Sequence, residues 1–165
     1  MTDFDLMGPV RFVPAILRVT TPVLLAALGV LISDRAGVLN IGVEGMMLSG
    51  AFAGVVASAA TGSAAAGLVA AILVGGLLGA LLAAAVHVLK SDLILSGIAL
   101  NIAAAAGTTL LLFLMTGDKG MSGSLASQVV PKVTIPGIAE LPVLGTLLSG
   151  PHVLTSAAFL AVPGV

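Results

Sequence analysis

Apolar residues run through this chain in blocks of about 20, the length an α-helix needs to cross the roughly 30 Å hydrocarbon core of a bilayer. Pro14 to Ser33 is the first block, and Glu44 to Ala60, Ala64 to Leu89 and Leu93 to Thr116 follow it. The breaks between them are short and polar: Asp34 to Gly45, Thr61–Gly62–Ser63 and Lys90–Ser91–Asp92. Met1 to Arg11 reads as a mixed lead before the first span. Gly117 to Gly150 carries Asp118, Lys119, Lys132, Glu140 and three prolines, and is too polar and broken to span. It reads as an extramembrane loop, in which Val129 to Ile135 has a strand-like pattern that Pro131 weakens. His152 to Val165 opens another apolar run that ends short of a span, as though the chain stopped within a fifth helix. The pattern predicts an all-α, polytopic transmembrane helical bundle, about four full spans plus the start of a fifth. Residues 1–165 then form a single transmembrane domain, with 117–150 outside the membrane.

Within the first block Arg18 lies near the start, where its stem can snorkel and keep the charge in water. Pro22 removes a backbone hydrogen bond and is expected to kink the helix, with Thr20 and Thr21 able to satisfy the freed carbonyl. The N-terminus lacks the pattern of a cleaved signal, because Asp3 and Asp5 precede the first Arg and no small-residue cleavage site follows the apolar run.

Composition supports lipid as the solvent. The chain is 59% hydrophobic and 8% charged, against about 25% charged residues in a soluble domain. Its mean hydropathy is +1.25. A net charge of −1 gives no footprint for nucleic acid. There is no Cys, which excludes disulfides and thiolate metal or redox sites. Trp and Tyr are also missing, so span ends are set by charges, Gly and Pro rather than by an aromatic belt.

The polar residues inside or beside the spans are few, and each is costly at membrane depth. Asp34 to Gly54 concentrates them: charges, an amide and small residues lie together between two apolar runs. Glu44 stands where the second span begins, so the positive end of the helix dipole favours its carboxylate there. Equally, Asn40 and Glu44 can line a polar path. Asn101, in the fourth span, can bridge two helices through its amide or face a path. Ser96 and Asn101 are five apart, separated by about 140° around a helix, and do not share a face closely. Asn40, Glu44, Ser96 and Asn101 are therefore the substrate-pathway candidates.

Gly50 with Gly54, and Gly75 with Gly79, put small residues four apart on one helix face, where backbones can approach closely. Packing within the bundle is the first expectation for both pairs. No glycine-rich loop runs into Lys and Ser/Thr, so the chain has no P-loop. His87 and His152 lie far apart with no carboxylate at ligand spacing, and no metal site or catalytic residue is assigned.

The stretch Arg11 to Phe52 (RFVPAILRVTTPVLLAALGVLISDRAGVLNIGVEGMMLSGAF) is similar to the permease subunits of bacterial ABC importers for nucleosides and simple sugars. These belong with the branched-chain amino acid and ribose permeases. Arg35 to Ala51 is the most specific part, and Ser91 to Phe113 and Ile135 to Leu148 add to the match. The resemblance implies a pore-forming subunit of the bacterial inner membrane, paired with a second permease subunit, ATP-binding subunits and an extracytoplasmic substrate-binding lipoprotein. It implies no cofactor on this chain and ATP hydrolysis on the partners, in keeping with the missing P-loop. The family continues for about as many residues again and carries a cytoplasmic coupling helix, so the chain reads as the family's N-terminal half, a fragment or a truncated product.

Orientation follows two lines of argument. Alternation from a cytoplasmic N-terminus leaves Arg11, Arg18, Lys119 and Lys132 inside, as the positive-inside rule favours. The family's coupling helix instead places the N-terminus and 117–150 outside, and that is the preferred expectation. The alternatives to an importer subunit are a secondary transporter, for which Glu44 is the available coupling carboxylate, and a truncated, non-transporting membrane protein.

Overall fold

A computed structural model describes residues 7–117, and among these the chain is helical apart from short connections. Helix α1 spans Met7–Arg35, α2 Val43–Thr61, α3 Ala64–His87 and α4 Leu93–Thr116. No strand occurs among the described residues. The chain divides into two compact units: α1 up to Ile32 lies in one, and Ser33 to Gly117 lies in the other.

The first helix starts earlier than the hydropathy pattern implies. Residues 7–11, expected as a mixed lead, are its first turn. Pro9 is tolerated there because the first N–H groups of a helix have no intrahelical acceptor in any case. The helix continues through Pro14 and Pro22 without interruption. The expected first span, Pro14 to Ser33, lies inside it. The snorkelling expected of the Arg18 side chain, the loop at 118–150, the strand-like Val129 to Ile135 and the run from His152 lie outside the described residues.

Helix α1 stops in a Schellman motif built on Gly37. Gly37 has φ +81°, its N–H donates to Asp34 O at 2.9 Å, and the Val38 N–H donates to Ser33 O at 3.1 Å. Two carbonyls at the helix end are satisfied in this way, and glycine adopts the left-handed conformation without a Cβ clash. The Ser33 hydroxyl adds a bond to Val38 O at 2.8 Å.

Helices α2, α3 and α4 are each long and apolar enough to cross a membrane. Helix α2 packs on both of the others, and most extensively on α3. Gly62 and Ser63 join α2 to α3, with Thr61 donating its hydroxyl to Ala57 O at 2.7 Å. Asp92 caps α4 by accepting the Leu95 N–H at 2.9 Å.

Small residues outnumber large ones at the centre of this unit. Leu82, Ala104 and Leu112 are the buried hydrophobics among the described residues. Gly45, Gly50, Ser58, Gly67 and Gly97 are buried with them. Most of the large aliphatic side chains point away: Leu73 and Leu77 are 66% and 68% exposed. That inversion suits lipid, where apolar side chains gain nothing by turning inward and helices associate through close backbone packing.

The α2–α3 contact shows the closeness directly. A Cβ on Gly67 would stand 2.7 Å from Gly54 O and 2.9 Å from the Ser58 Cβ. Backbone thus meets backbone, and any side chain at position 67 would push the helices apart.

Candidate functional site

The polar residues gather at the end of the bundle where α2 begins, α3 ends and α4 begins. After Gly37 the chain leaves helical geometry and passes through Val38 to Gly42 before α2 starts. Gly42 occupies the N-cap position of α2 and has no side chain to accept the free N–H groups of the first turn.

Asn101 fills that role from another helix. Its Oδ1 accepts the Gly45 N–H at 2.8 Å, and its Nδ2 donates to Ile41 O at 3.0 Å. One carboxamide on α4 therefore caps α2 and also holds the connection that leads into it. Two glycines make the approach possible. A Cβ on Gly45 would stand 3.0 Å from Asn101 Cα, and a Cβ on Gly97 would stand 2.9 Å from Ile41 Cβ and 3.2 Å from Gly42 N.

Asn40 lies in the same connection but is held differently. Its Nδ2 reaches only the Met46 Sδ, at 3.6 Å, and a thioether is a weak acceptor. Its Oδ1 is buried without a hydrogen-bond donor. Asn40 lines a cavity of about 200 Å³ together with Ser33, Val38, Met46, Gly79, Leu82, Ala83, Val86, His87 and Leu93. A second cavity, of about 230 Å³, lies between α2 and α4 and includes Leu48, Phe52, Val55, Thr108 and Thr109. There Thr108 donates to Ala104 O at 2.7 Å and Thr109 to Ala105 O at 2.8 Å, which leaves each hydroxyl oxygen able to accept.

Glu44 is exposed in the first turn of α2, where the helix dipole favours a carboxylate. Ser96 belongs to the start of α4: its hydroxyl donates to Asp92 O at 2.7 Å and shares a hydrogen bond with Ser91 Oγ at 2.8 Å. The four pathway candidates therefore part company. Asn40 lines a cavity, Asn101 bridges α4 to the start of α2, Ser96 closes a turn and Glu44 is exposed.

The glycine pairs divide in the same way. Gly50 and Gly54 face α3: a Cβ on Gly50 would stand 3.4 Å from Ala71 O, and one on Gly54 3.3 Å from Gly67 O. A Cβ on Gly75 or Gly79 would meet nothing within 4 Å, and Gly79 instead lines the Asn40 cavity.

Several residues of the site are not singled out by the sequence pattern: Ser33, Gly45, Met46, Gly67, His87 as a cavity residue, and Gly97. One signal is present. Gly97, Asn101, Ala104, Thr108 and Leu112 recur at helical spacing on α4, with Gly97, Ala104 and Leu112 buried. Pairing Asn101 with Gly97, four residues before it, identifies the face that meets α2.

These features define a multi-pass helical membrane protein whose spans are packed through small residues and joined by a polar cluster at one end. Residues 12–146 match the family described as branched-chain amino acid transport system / permease component, and the chain belongs to that family. It is 38% identical over 157 residues to the putative glucose ABC transporter permease protein TsgC13 of Haloferax volcanii, covering 92% of this chain and 45% of the relative. It is 36% identical over 156 residues to the guanosine ABC transporter permease protein NupQ of Bacillus subtilis, covering 91% and 48%. With the nucleoside ABC transporter permease protein NupC of Lactococcus lactis the identity is 32% over 138 residues, covering 78% and 41%. The chain thus spans about half the length of these relatives or somewhat less. No solved structure matches it.

Proposed function

We propose that this chain forms part of the membrane permease subunit of an ABC importer and lines the path of a nucleoside or simple sugar. The observation that carries the reading is the similarity to glucose, guanosine and nucleoside permeases over most of this chain. The subunit works in the cell membrane with a second permease subunit, ATP-binding subunits that hydrolyse ATP, and an extracytoplasmic substrate-binding lipoprotein. Its own contribution is passive: helices that exclude lipid from the path and polar groups that replace part of the solute's hydration.

The test is uptake of labelled guanosine and glucose in cells lacking other importers for these solutes, with and without the gene for this chain. Deletion is expected to abolish ATP-dependent uptake. Unchanged uptake after deletion, or uptake driven by an ion gradient without ATP, overturns the reading.

A further inference from the structure

The connection from α1 to α2, Val38 to Gly42, carries one step beyond the transport reading, on which it rests. Two features of its position pull against each other. Asn101 holds it to α4: the carboxamide donates to Ile41 O at 3.0 Å and accepts the Gly45 N–H at 2.8 Å. The contact is close, since a Cβ on Gly97 would stand 2.9 Å from Ile41 Cβ. The same position buries the Asn40 Oδ1 with no hydrogen-bond donor and leaves the Asn40 Nδ2 with a thioether at 3.6 Å.

A buried acceptor without a donor has lost its water and gained nothing in return. The Asn40 Oδ1 is shut off from solvent, so a donor reaches it only if the packing around it moves. The surroundings allow such a movement. Upstream, Gly37 has φ +81°, and a Cβ there would meet nothing within 4 Å among the described residues. Among the described residues the N–H groups of Leu39, Asn40 and Ile41 make no backbone hydrogen bond. On the α3 side lies the cavity of about 200 Å³ lined by Val38, Asn40, Leu82 and Val86, several times the ~30 Å³ share of one water. The connection can shift there without first displacing a helix.

We propose that Val38 to Gly42 is a two-position gate of the transport cycle, latched by Asn101 in the position seen here and released when Asn40 exchanges its burial for a donor. The latch favours one position and the orphaned carbonyl favours the other. The two therefore lie close in free energy, and the partners' ATP cycle has only a small bias to supply. Asn101 is a positioning residue: it acts on the connection, not on the solute.

The absence of Cys from the chain makes a direct test possible in the assembled importer, reconstituted in liposomes with its partner subunits. An Ile41→Cys variant is treated with a small, water-soluble thiol reagent, with and without ATP. Val88→Cys, at a position 74% exposed, is the reference. ATP hydrolysis is expected to speed labelling at position 41 by fivefold or more and to leave position 88 unchanged. Adding Asn101→Leu is expected to give the faster rate at position 41 without ATP. Asn40→Leu keeps the branching of the side chain and removes its polar atoms, which favours the latched position. It is expected to raise the melting temperature and to lower uptake at least tenfold, a pairing that a merely structural asparagine does not give. A melting temperature lowered by Asn40→Leu, or labelling at position 41 that ATP does not change in an importer with intact uptake, overturns the latch alone. Absence of guanosine and glucose uptake by the parent importer overturns the transport reading and the latch with it.

Discussion

The Asn101 side chain on α4 accepts the backbone N–H of Gly45 in the first turn of α2, at 2.8 Å and across 56 positions of sequence. A helix start is usually capped by the residue that precedes it. Here that residue is Gly42, which has nothing to offer, and the cap comes from a neighbouring helix. Replacing Asn101 with Leu leaves the Gly45 N–H and Ile41 O without partners. The expected loss is about 1–3 kcal/mol, well above the ~0.6 kcal/mol average for an interhelical hydrogen bond in a membrane, because a helix terminus is released as well. Thermal unfolding of the purified complex in detergent measures it, and an Asn101→Leu melt unchanged from the parent would show that the cap is dispensable.

Gly67 and Gly75 lie on the same helix and answer differently to one added methyl group. At Gly67 the new Cβ meets a carbonyl oxygen at 2.7 Å, and overpacking of this kind costs about 1–3 kcal/mol. At Gly75 it meets nothing within 4 Å, and alanine gains about 0.5–1 kcal/mol from the lower flexibility of the unfolded chain. Gly67→Ala is therefore expected to lower the melting temperature and Gly75→Ala to hold or raise it. The opposite order would refute the packing described for α2 and α3.

Asp92 caps α4 through the Leu95 N–H at 2.9 Å. Asp92→Ala is expected to destabilise by about 1 kcal/mol and Asp92→Asn by much less, since asparagine is as good a cap. Equal losses for both variants in the same melting assay would assign the effect to the charge rather than the cap.

Glu44 is exposed in the first turn of α2. Glu44→Gln removes a favourable interaction with the helix dipole, expected at about 0.3–1 kcal/mol and weakened by salt. Melting Glu44→Gln at low and high ionic strength tests this. A loss of several kcal/mol that salt does not change would place the carboxylate in a desolvated ion pair instead.

The helices are legible in the sequence because apolar runs end at residues that stop helices. The fourth run, Leu93 to Thr116, coincides with α4, and the third, Ala64 to Leu89, overshoots α3 by the two residues after His87. Thr61, Gly62 and Ser63 mark the turn between α2 and α3 for the same reason. Residues 7–11 read as a lead because of Pro9 and Arg11, although a first helical turn accepts both. The site is less legible. The spacing Gly50–Gly54 and Gly75–Gly79 is identical, yet the first pair lies against α3, whereas a Cβ on either glycine of the second would meet nothing within 4 Å among the described residues. Sequence spacing decides which residues share a face, but not which face finds a neighbour. Asn101 is visible as a polar outlier, whereas its partners are backbone groups, which every residue carries and no sequence pattern marks.

The apposition of Gly54 and Gly67 bears on the order in which the bundle assembles. The α2–α3 hairpin closes over the short Gly62–Ser63 turn, so little loop entropy opposes it. Its contact is made largely by backbone and small residues that lose no rotamer freedom. Helix α4 contributes the cap on α2, and the cap has a target only once α2 and the connection before it are in place. The geometry therefore favours a hairpin that forms first as the chain enters the bilayer, with α4 locking its open end afterwards.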